Sequence, residues 1–129
     1  MSAAAFFGAA AFAFAGDAGD PGASCGNSTY EMVACFGAQT AQWDKKMNAA
    51  YQELLKNTDG KKQRDQLRAA QRLWIQYRDA NCLYYALGEG TIARVEAATC
   101  MRDMTKARAR ELSGSDTPSA DKPGGEDRD

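Results

Sequence analysis

The sequence predicts an all-α fold, a small bundle of three to four helices stapled by two disulfides. Apolar residues recur at helical spacing in several windows of the 129-residue chain. No window alternates apolar and polar residues as a half-buried strand does. The foldable part is short enough to need reinforcement of its core, and the four cysteines are an even number that can form two bridges.

The composition divides the chain into four segments. Residues 1–15 resemble a signal peptide, because Ala3–Ala15 is an apolar run too short to span a bilayer and ends in an A-x-A cleavage pattern. No lysine or arginine precedes this run, so the alternative is a disordered alanine-rich arm. Residues 16–24 are predicted to be a linker, 25–112 the helical domain and 113–129 a disordered acidic tail. A periplasmic or secreted location without a transmembrane segment follows from this organisation and from the even cysteine count.

The formal net charge of −1 conceals an uneven distribution. Residues 25–112 contain 14 bases and 10 acids, whereas residues 113–129 contain 2 bases and 5 acids. Histidine is absent, which excludes Ser-His-Asp and Cys-His catalysis and any histidine-liganded metal site. No C-x-x-C motif occurs, so we expect no metal and no cofactor.

Four helical segments are predicted in the domain. Ser28 and Glu31 form a capping-box pattern that starts a short helix, with Gly37 as a stop or kink. Further helices are predicted over residues 40–57, 61–87 and 91–112, with Asp44 in the first turn of the second helix, Gly88 as a C-cap and Thr91 as an N-cap. The side chains expected to pack inward are Met32, Val33, Trp43, Met47, Ala50, Tyr51, Leu54, Leu55, Leu67, Ala70, Trp74, Ile75, Cys82, Ile92, Val95, Thr99, Met101, Met104 and Leu112.

Four cysteines allow three pairings, and we favour Cys25–Cys35 with Cys82–Cys100. The midpoint between residues 82 and 100 lies near the glycine-containing turn at 88–90, so an antiparallel helix pair brings those two thiols together. The arm before the first helix is long enough to fold back and bring Cys25 to Cys35.

The third predicted helix contains a segment that resembles a known family. Residues 67–82, LRAAQRLWIQYRDANC, are similar to the L-x-x-A-Q-R-x-W-x-x-Y-R-D-A-x-C segment of LprI-type lysozyme-inhibitor N-terminal domains. Three further blocks agree in order: residues 29–35, residues 44–54 and residues 100–112. The sequence departs from the pattern at Met47, where leucine is usual, and at Trp43, where alanine is usual. The resemblance implies a small, exported, helical, disulfide-containing bacterial module in a family whose members mostly have no assigned activity.

One cluster in this segment has two interpretations. It comprises Gln71, Arg72, Trp74, Tyr77, Arg78 and Asp79. In the structural interpretation, Trp74 packs in the core while Gln71 and Arg78 satisfy buried polar groups or a carboxylate such as Asp44. In the functional interpretation, Trp74 is the floor of a ligand groove and Arg78 faces an anion. We favour the structural interpretation, because an aromatic side chain at helical spacing usually belongs to the core.

Two further patterns bear on function. Arg64, Arg68 and Arg72 repeat every four residues, as do Arg102, Lys106 and Arg110, and we interpret both ridges as solvated helix faces rather than a surface for nucleic acid. Pairs of carboxylates such as Glu96 and Asp103 come with no obvious groove, which argues against a glycosidase.

Two functional hypotheses remain. The first is a non-enzymatic exported protein of the cell envelope that inhibits lysozyme or binds another envelope protein through its surface. The second is a structural or accessory periplasmic module without lysozyme activity. Animal lysozymes are basic, so a domain with a charge of +4 lacks long-range attraction for them, and inhibition would depend on shape or on the acidic tail. The oligomeric state is left open.

Overall fold

The computed structural model describes residues 24–115 and shows three helices, α1 (Thr29–Lys56), α2 (Lys61–Ala86) and α3 (Ile92–Ser113). No strand occurs in this range, so the all-α prediction is confirmed. The predicted signal-like segment, most of the linker and the end of the acidic tail lie outside the described residues.

Helix α3 is the central element of the bundle. It packs against both α1 and α2, which approach each other less closely. Gln39 of α1 contacts Arg102, and Met47 contacts Ala109 further along, so α1 and α3 run in the same direction. Helix α2 runs antiparallel to them, because its residues 71 and 82 contact residues 108 and 100 respectively.

The hydrophobic core is small. Met47, Ala109 and Leu112 are buried together, and partly buried side chains surround them: Trp43, Ala50, Tyr51, Leu67 and Trp74. Three residues predicted to pack inward are instead exposed, Leu54 and Ile75 at 37% and Ile92 at 55%. A core of this size leaves much of the apolar surface of the helices in contact with solvent.

Both predicted disulfides are confirmed. Cys25 pairs with Cys35 and Cys82 pairs with Cys100, and the Cα atoms are 5.5 Å apart in each bridge. The first bridge holds the arm before α1 against that helix, and the second joins α2 to α3. Each bridge restricts the unfolded chain and thereby contributes on the order of 3 kcal/mol to the stability of the fold.

Helix α1 begins with the predicted capping box. The Ser28 hydroxyl accepts a hydrogen bond from the Glu31 amide at 3.1 Å, and the Glu31 carboxylate accepts from the amides of Ser28 and Asn27. These backbone donors, with the Ser28 hydroxyl, lower the pKa of Glu31 from its usual 4.5. Gly26 lies so close that a Cβ atom there would be 2.6 Å from the Glu31 carboxylate, which requires glycine.

The predicted stop at Gly37 is wrong. Helix α1 continues through it, so Asp44 lies in mid-helix and not in a first turn. Side chains on both sides of Gly37 contact α3: Phe36 packs beneath the Arg102 guanidinium at 4.3 Å from the ring centre, and Gln39 is buried. The Thr40 hydroxyl donates to the Phe36 carbonyl at 2.8 Å within the helix instead of capping a new one. Packing therefore outweighs the ~1 kcal/mol that glycine costs in a helix interior.

The ends of α2 and α3 also differ from expectation. Leu87 caps α2, and the positive φ of 77° falls at Gly90 rather than at Gly88. Thr91 makes no side-chain hydrogen bond at the start of α3. Gly114, in the left-handed conformation, ends α3.

Candidate functional site

The six residues of the predicted cluster separate onto different faces of α2. Gln71, Trp74 and Arg78 face α3, whereas Arg72 and Tyr77 are exposed, Tyr77 to 62%. The reason is the 100° rotation per residue of an α-helix, which places neighbours in sequence on different sides. The cluster is therefore not one continuous surface.

Arg78 is held by contacts to all three helices. Its guanidinium lies 3.0 Å from the Asp79 carboxylate on α2 and 3.9 Å from Asp44 on α1. It also donates to the Thr105 hydroxyl on α3 at 3.4 Å and stacks 5.3 Å from the centre of the Trp74 ring. Only 12% of the side chain is exposed, so the charge faces its neighbours more than solvent.

Gln71 belongs to a second buried polar contact. Its Oε1 atom accepts a hydrogen bond of 2.9 Å from Nε of Arg108, and the same guanidinium pairs with Glu111 at 2.7 Å. The guanidinium groups of Arg78 and Arg108 both lie over the Trp74 ring, the latter 5.9 Å from the ring centre. The Nε2 atom of Gln71 is buried without a hydrogen-bond partner in the described range. Arg108, which matches the family pattern within residues 100–112 but was assigned no role from the sequence, thus contributes to α2–α3 packing.

The α2 ridge makes local contacts, whereas the α3 ridge lies against side chains of α1. Arg64 donates to the carbonyls of Thr58 and Asp59 at 2.7 and 2.8 Å, which satisfies backbone at the turn between α1 and α2. Arg68 pairs with Asp65 at 3.1 Å. The hydrogen bond from Lys61, with a smaller contribution from Arg68, lowers the pKa of the Asp65 carboxyl. In the α3 ridge, Lys106 and Arg110 lie 5.6 and 5.8 Å from the Trp43 ring centre. Several of these cations therefore have intramolecular partners.

Trp43 fills a space between α1 and α3. Lys46 also lies over its ring, at 4.5 Å, and the indole Nε1 atom is buried without a hydrogen-bond partner. The ring packs against the cluster around Met47. This arrangement explains how the bundle accommodates a large aromatic side chain where the family pattern has alanine: the ring edge joins the core and its face lies under cations.

A groove with polar and apolar lining residues lies between α2 and α3. Its volume is about 410 Å³, within the usual range for ligand sites. It is lined by Asn81, Tyr85, Val95, Glu96, Thr99, Cys100, Asp103 and Met104. A second depression, lined by Tyr84, Tyr85, Leu87, Gly88 and Glu96, shares two residues with it. We call the first cavity the α2–α3 groove.

Carboxylates stand at the rim of the α2–α3 groove. Glu96 and Asp103 lie two turns apart on α3, and both are exposed. Asp103 accepts a 2.7 Å contact from Arg102, whereas Glu96 makes no ion pair within residues 24–115. The expectation that this carboxylate pair has no groove is wrong. The seven-residue spacing was the available signal, but the second wall of the groove, Asn81 and Tyr85, comes from α2, and the approach of α2 to α3 depends on tertiary packing.

The described residues contain no evident metal centre. Among residues 24–115, no three histidine, cysteine, aspartate or glutamate side chains lie close enough together to hold a metal ion. None of the three helices is long and apolar enough to cross a membrane.

Comparison with known proteins gives one match. The family model described as lysozyme inhibitor LprI matches residues 21–112, a range that includes both disulfides, α1, α2 and nearly all of α3. Neither the curated proteins nor the solved structures give a match to this chain.

Proposed function

The chain belongs to the LprI lysozyme inhibitor family, and on that basis we propose that it is a non-enzymatic protein that binds and inhibits lysozyme through its surface. The observation that carries this proposal is the extent of the family match, which spans the whole helical core of the molecule. Inhibition by binding requires an accessible complementary surface and no chemical step.

An extracytoplasmic location supports the proposal. Two disulfides in a chain of this size are typical of an oxidising compartment. We place the protein in the periplasm or outside the cell, where it would meet lysozyme that enters to attack the cell wall.

The α2–α3 groove is the surface we assign to lysozyme. Basic lysozymes present lysine and arginine side chains, and the groove offers Glu96 without an internal ion pair beside apolar walls from Val95 and Met104. Such walls can contact the aliphatic stem of a lysine or arginine while the carboxylate contacts its charge. This local complementarity offsets the +4 charge of the domain, which by itself would slow the encounter.

Cell-lysis assays test the activity and the surface together. Lysozyme is added to micrococcal cells with the disulfide-bonded protein, its Glu96→Lys variant, or the Asp59→Lys variant. Asp59 lies in the exposed turn between α1 and α2, away from the groove, so both variants change the net charge equally. We expect Glu96→Lys to weaken inhibition by about tenfold or more and Asp59→Lys to have little effect.

The outcomes separate two failures. No inhibition at micromolar wild-type protein would remove lysozyme as the target. Inhibition that both variants weaken equally would retain lysozyme as the target but remove the groove as its binding surface.

A chain truncated after Ser115 tests the acidic tail. If the tail steers lysozyme, truncation slows association, and added salt reduces the difference between the truncated and the full chain.

An accessory role in the cell envelope is the second candidate. The observation that favours it is the exposed apolar surface of α2, which includes Leu73 and Tyr84 at 64% and 74% exposure. A pull-down from periplasmic extract distinguishes the two: a stoichiometric envelope partner together with absent lysozyme inhibition would support the accessory role.

A further inference from the structure

Helix α2 has an apolar stripe on the side that faces away from the core. The outward stripe consists of Leu73, Tyr77, Ala80, Tyr84 and Leu87. Its large side chains are 62–76% exposed, and Ala80 is exposed as well. The core-facing residues Gln71 and Cys82 lie on the opposite side of the same helix.

The spacing shows that these five residues form a line. Successive intervals are four, three, four and three residues, which keeps their side chains within a narrow sector of the helix surface. None of them is charged, and the line is about 21 Å long at 1.5 Å per residue. A surface helix of a stable bundle normally presents charged side chains there, so this stripe lacks the expected solvent-facing composition.

The stripe has the same sequence of side chains in both directions. The order leucine, tyrosine, alanine, tyrosine, leucine reads the same from either end, and Ala80 is the midpoint of 73 and 87, with Tyr77 and Tyr84 three and four residues from it. A two-fold interface brings residue i of one copy against residue j of the other, and j against i. With antiparallel helices crossing at Ala80, Leu73 would face the second copy's Leu87, and Tyr77 would face its Tyr84.

We propose that this stripe binds a second copy of the chain, with the two α2 helices packed antiparallel across a two-fold axis at Ala80. The small side chain at the crossing point allows the helix axes to approach closely. The tyrosines on either side supply rigid contact area and keep their hydroxyl groups near solvent. No charge on the stripe has to be desolvated.

The available area agrees with a stable pair. With Leu83, which is 54% exposed and flanks the stripe, the large apolar side chains expose roughly 650 Å² per copy at typical leucine and tyrosine areas. Complete burial of these side chains in both copies would remove at most roughly 1,300 Å² from solvent, which reaches the lower end of the 1,200–2,000 Å² of standard specific interfaces. The area also reaches or exceeds the largest apolar patch of a typical monomer, about 300–600 Å².

Sedimentation equilibrium tests the oligomeric state. The disulfide-bonded protein is compared with Ala80→Arg, which places two cations at the axis, and with Ala49→Arg on an exposed position of α1 as the matched control. We expect the wild type and Ala49→Arg to be dimers and Ala80→Arg to dissociate on the order of thirtyfold more readily. Circular dichroism verifies that all three remain helical.

Cross-linking tests the antiparallel arrangement. A short bis-maleimide should link two copies of Ala80→Cys at the axis. It should not link two copies of Leu73→Cys, whose thiols would lie on opposite sides of the axis. Linkage of both variants would indicate parallel helices and overturn the proposed geometry.

Three results would overturn the proposal. One is a wild type that stays monomeric up to about 100 µM, a concentration at which a pair of micromolar affinity would be dimeric. A stripe that is covered by another part of the chain would give this result. Another is a dimer that Ala80→Arg leaves intact. The third is a complex in which one wild-type chain binds one lysozyme, together with loss of lysozyme binding in the Ala80→Arg variant. That result would assign the stripe to lysozyme instead.

Discussion

Arg78 illustrates how one side chain of this family segment connects the three helices. It reaches Asp44 on α1, Asp79 on α2 and Thr105 on α3 while its guanidinium lies over the Trp74 ring. Arg72, six residues earlier, is exposed on the same helix. The two arginines of the predicted cluster therefore have different environments, and we propose that Arg78 supports the fold.

Replacing Arg78 distinguishes structural support from ligand binding. Arg78→Ala should reduce the free energy of unfolding by about 1–3 kcal/mol, because it removes charge-assisted hydrogen bonds and packing against Trp74. Arg72→Ala should change it by less than about 0.5 kcal/mol, as for an exposed substitution. Urea unfolding measures both. An unchanged stability of Arg78→Ala together with lost lysozyme inhibition would support the functional interpretation of this residue.

At the scale of the elements, α1 is the main departure from the predicted helices. Glycine at position 37 does disfavour a helix locally. Phe36 and Gln39, however, both contact α3, and these contacts hold the chain helical across Gly37. The Cys25–Cys35 bridge adds a constraint on the same stretch. A 28-residue helix thus forms where local preference favours two shorter ones.

Gly37→Ala should stabilise the protein by about 0.5–1 kcal/mol. A Cβ atom at this position meets no other atom within 4 Å, and alanine has the higher helix propensity. Thermal unfolding of the variant and the wild type measures the difference. A lower melting temperature for the variant would show that residue 37 is not helical in solution.

At the scale of the whole molecule, covalent bonds supplement a core in which few large side chains are fully buried. Met47 is 1% exposed, but Trp43 and Trp74 are only partly buried, and much of α2 contacts the rest of the bundle along one side. The Cys82–Cys100 bridge joins α2 to α3 at the end opposite the turn that connects α1 and α2. This bond therefore both stabilises the folded state and fixes the position of α2 against α3.

Replacing both Cys82 and Cys100 with serine should reduce the free energy of unfolding by on the order of 3 kcal/mol. The Cys25→Ser, Cys35→Ser double variant is the matched comparison, and its shorter separation of 10 residues rather than 18 predicts a slightly smaller loss. Urea unfolding of both variants gives the values. A loss well below 1 kcal/mol for the first variant would mean that helix packing alone holds α2 in place.

Much of the architecture could be predicted from local patterns. The helical class, the capping box at Ser28 and both disulfide pairings followed from residue spacing, because these features depend on neighbours in sequence or on a single turn. The α2–α3 groove could not be predicted. Its Glu96 and Asp103 were visible as a spaced pair, but its other wall comes from Asn81 and Tyr85 on a different helix.

By itself, the sequence determined which segments are helical, which cysteines pair and which family the domain resembles, since helical periodicity and chain connectivity act over short distances. Only the tertiary structure decided that α1 runs unbroken, that Arg78 reaches both Asp44 on α1 and Thr105 on α3, and that a groove opens beside Glu96. Those outcomes depend on how α3 packs against its neighbours. The contacts involved join residues that are distant along the chain, so local patterns do not determine them.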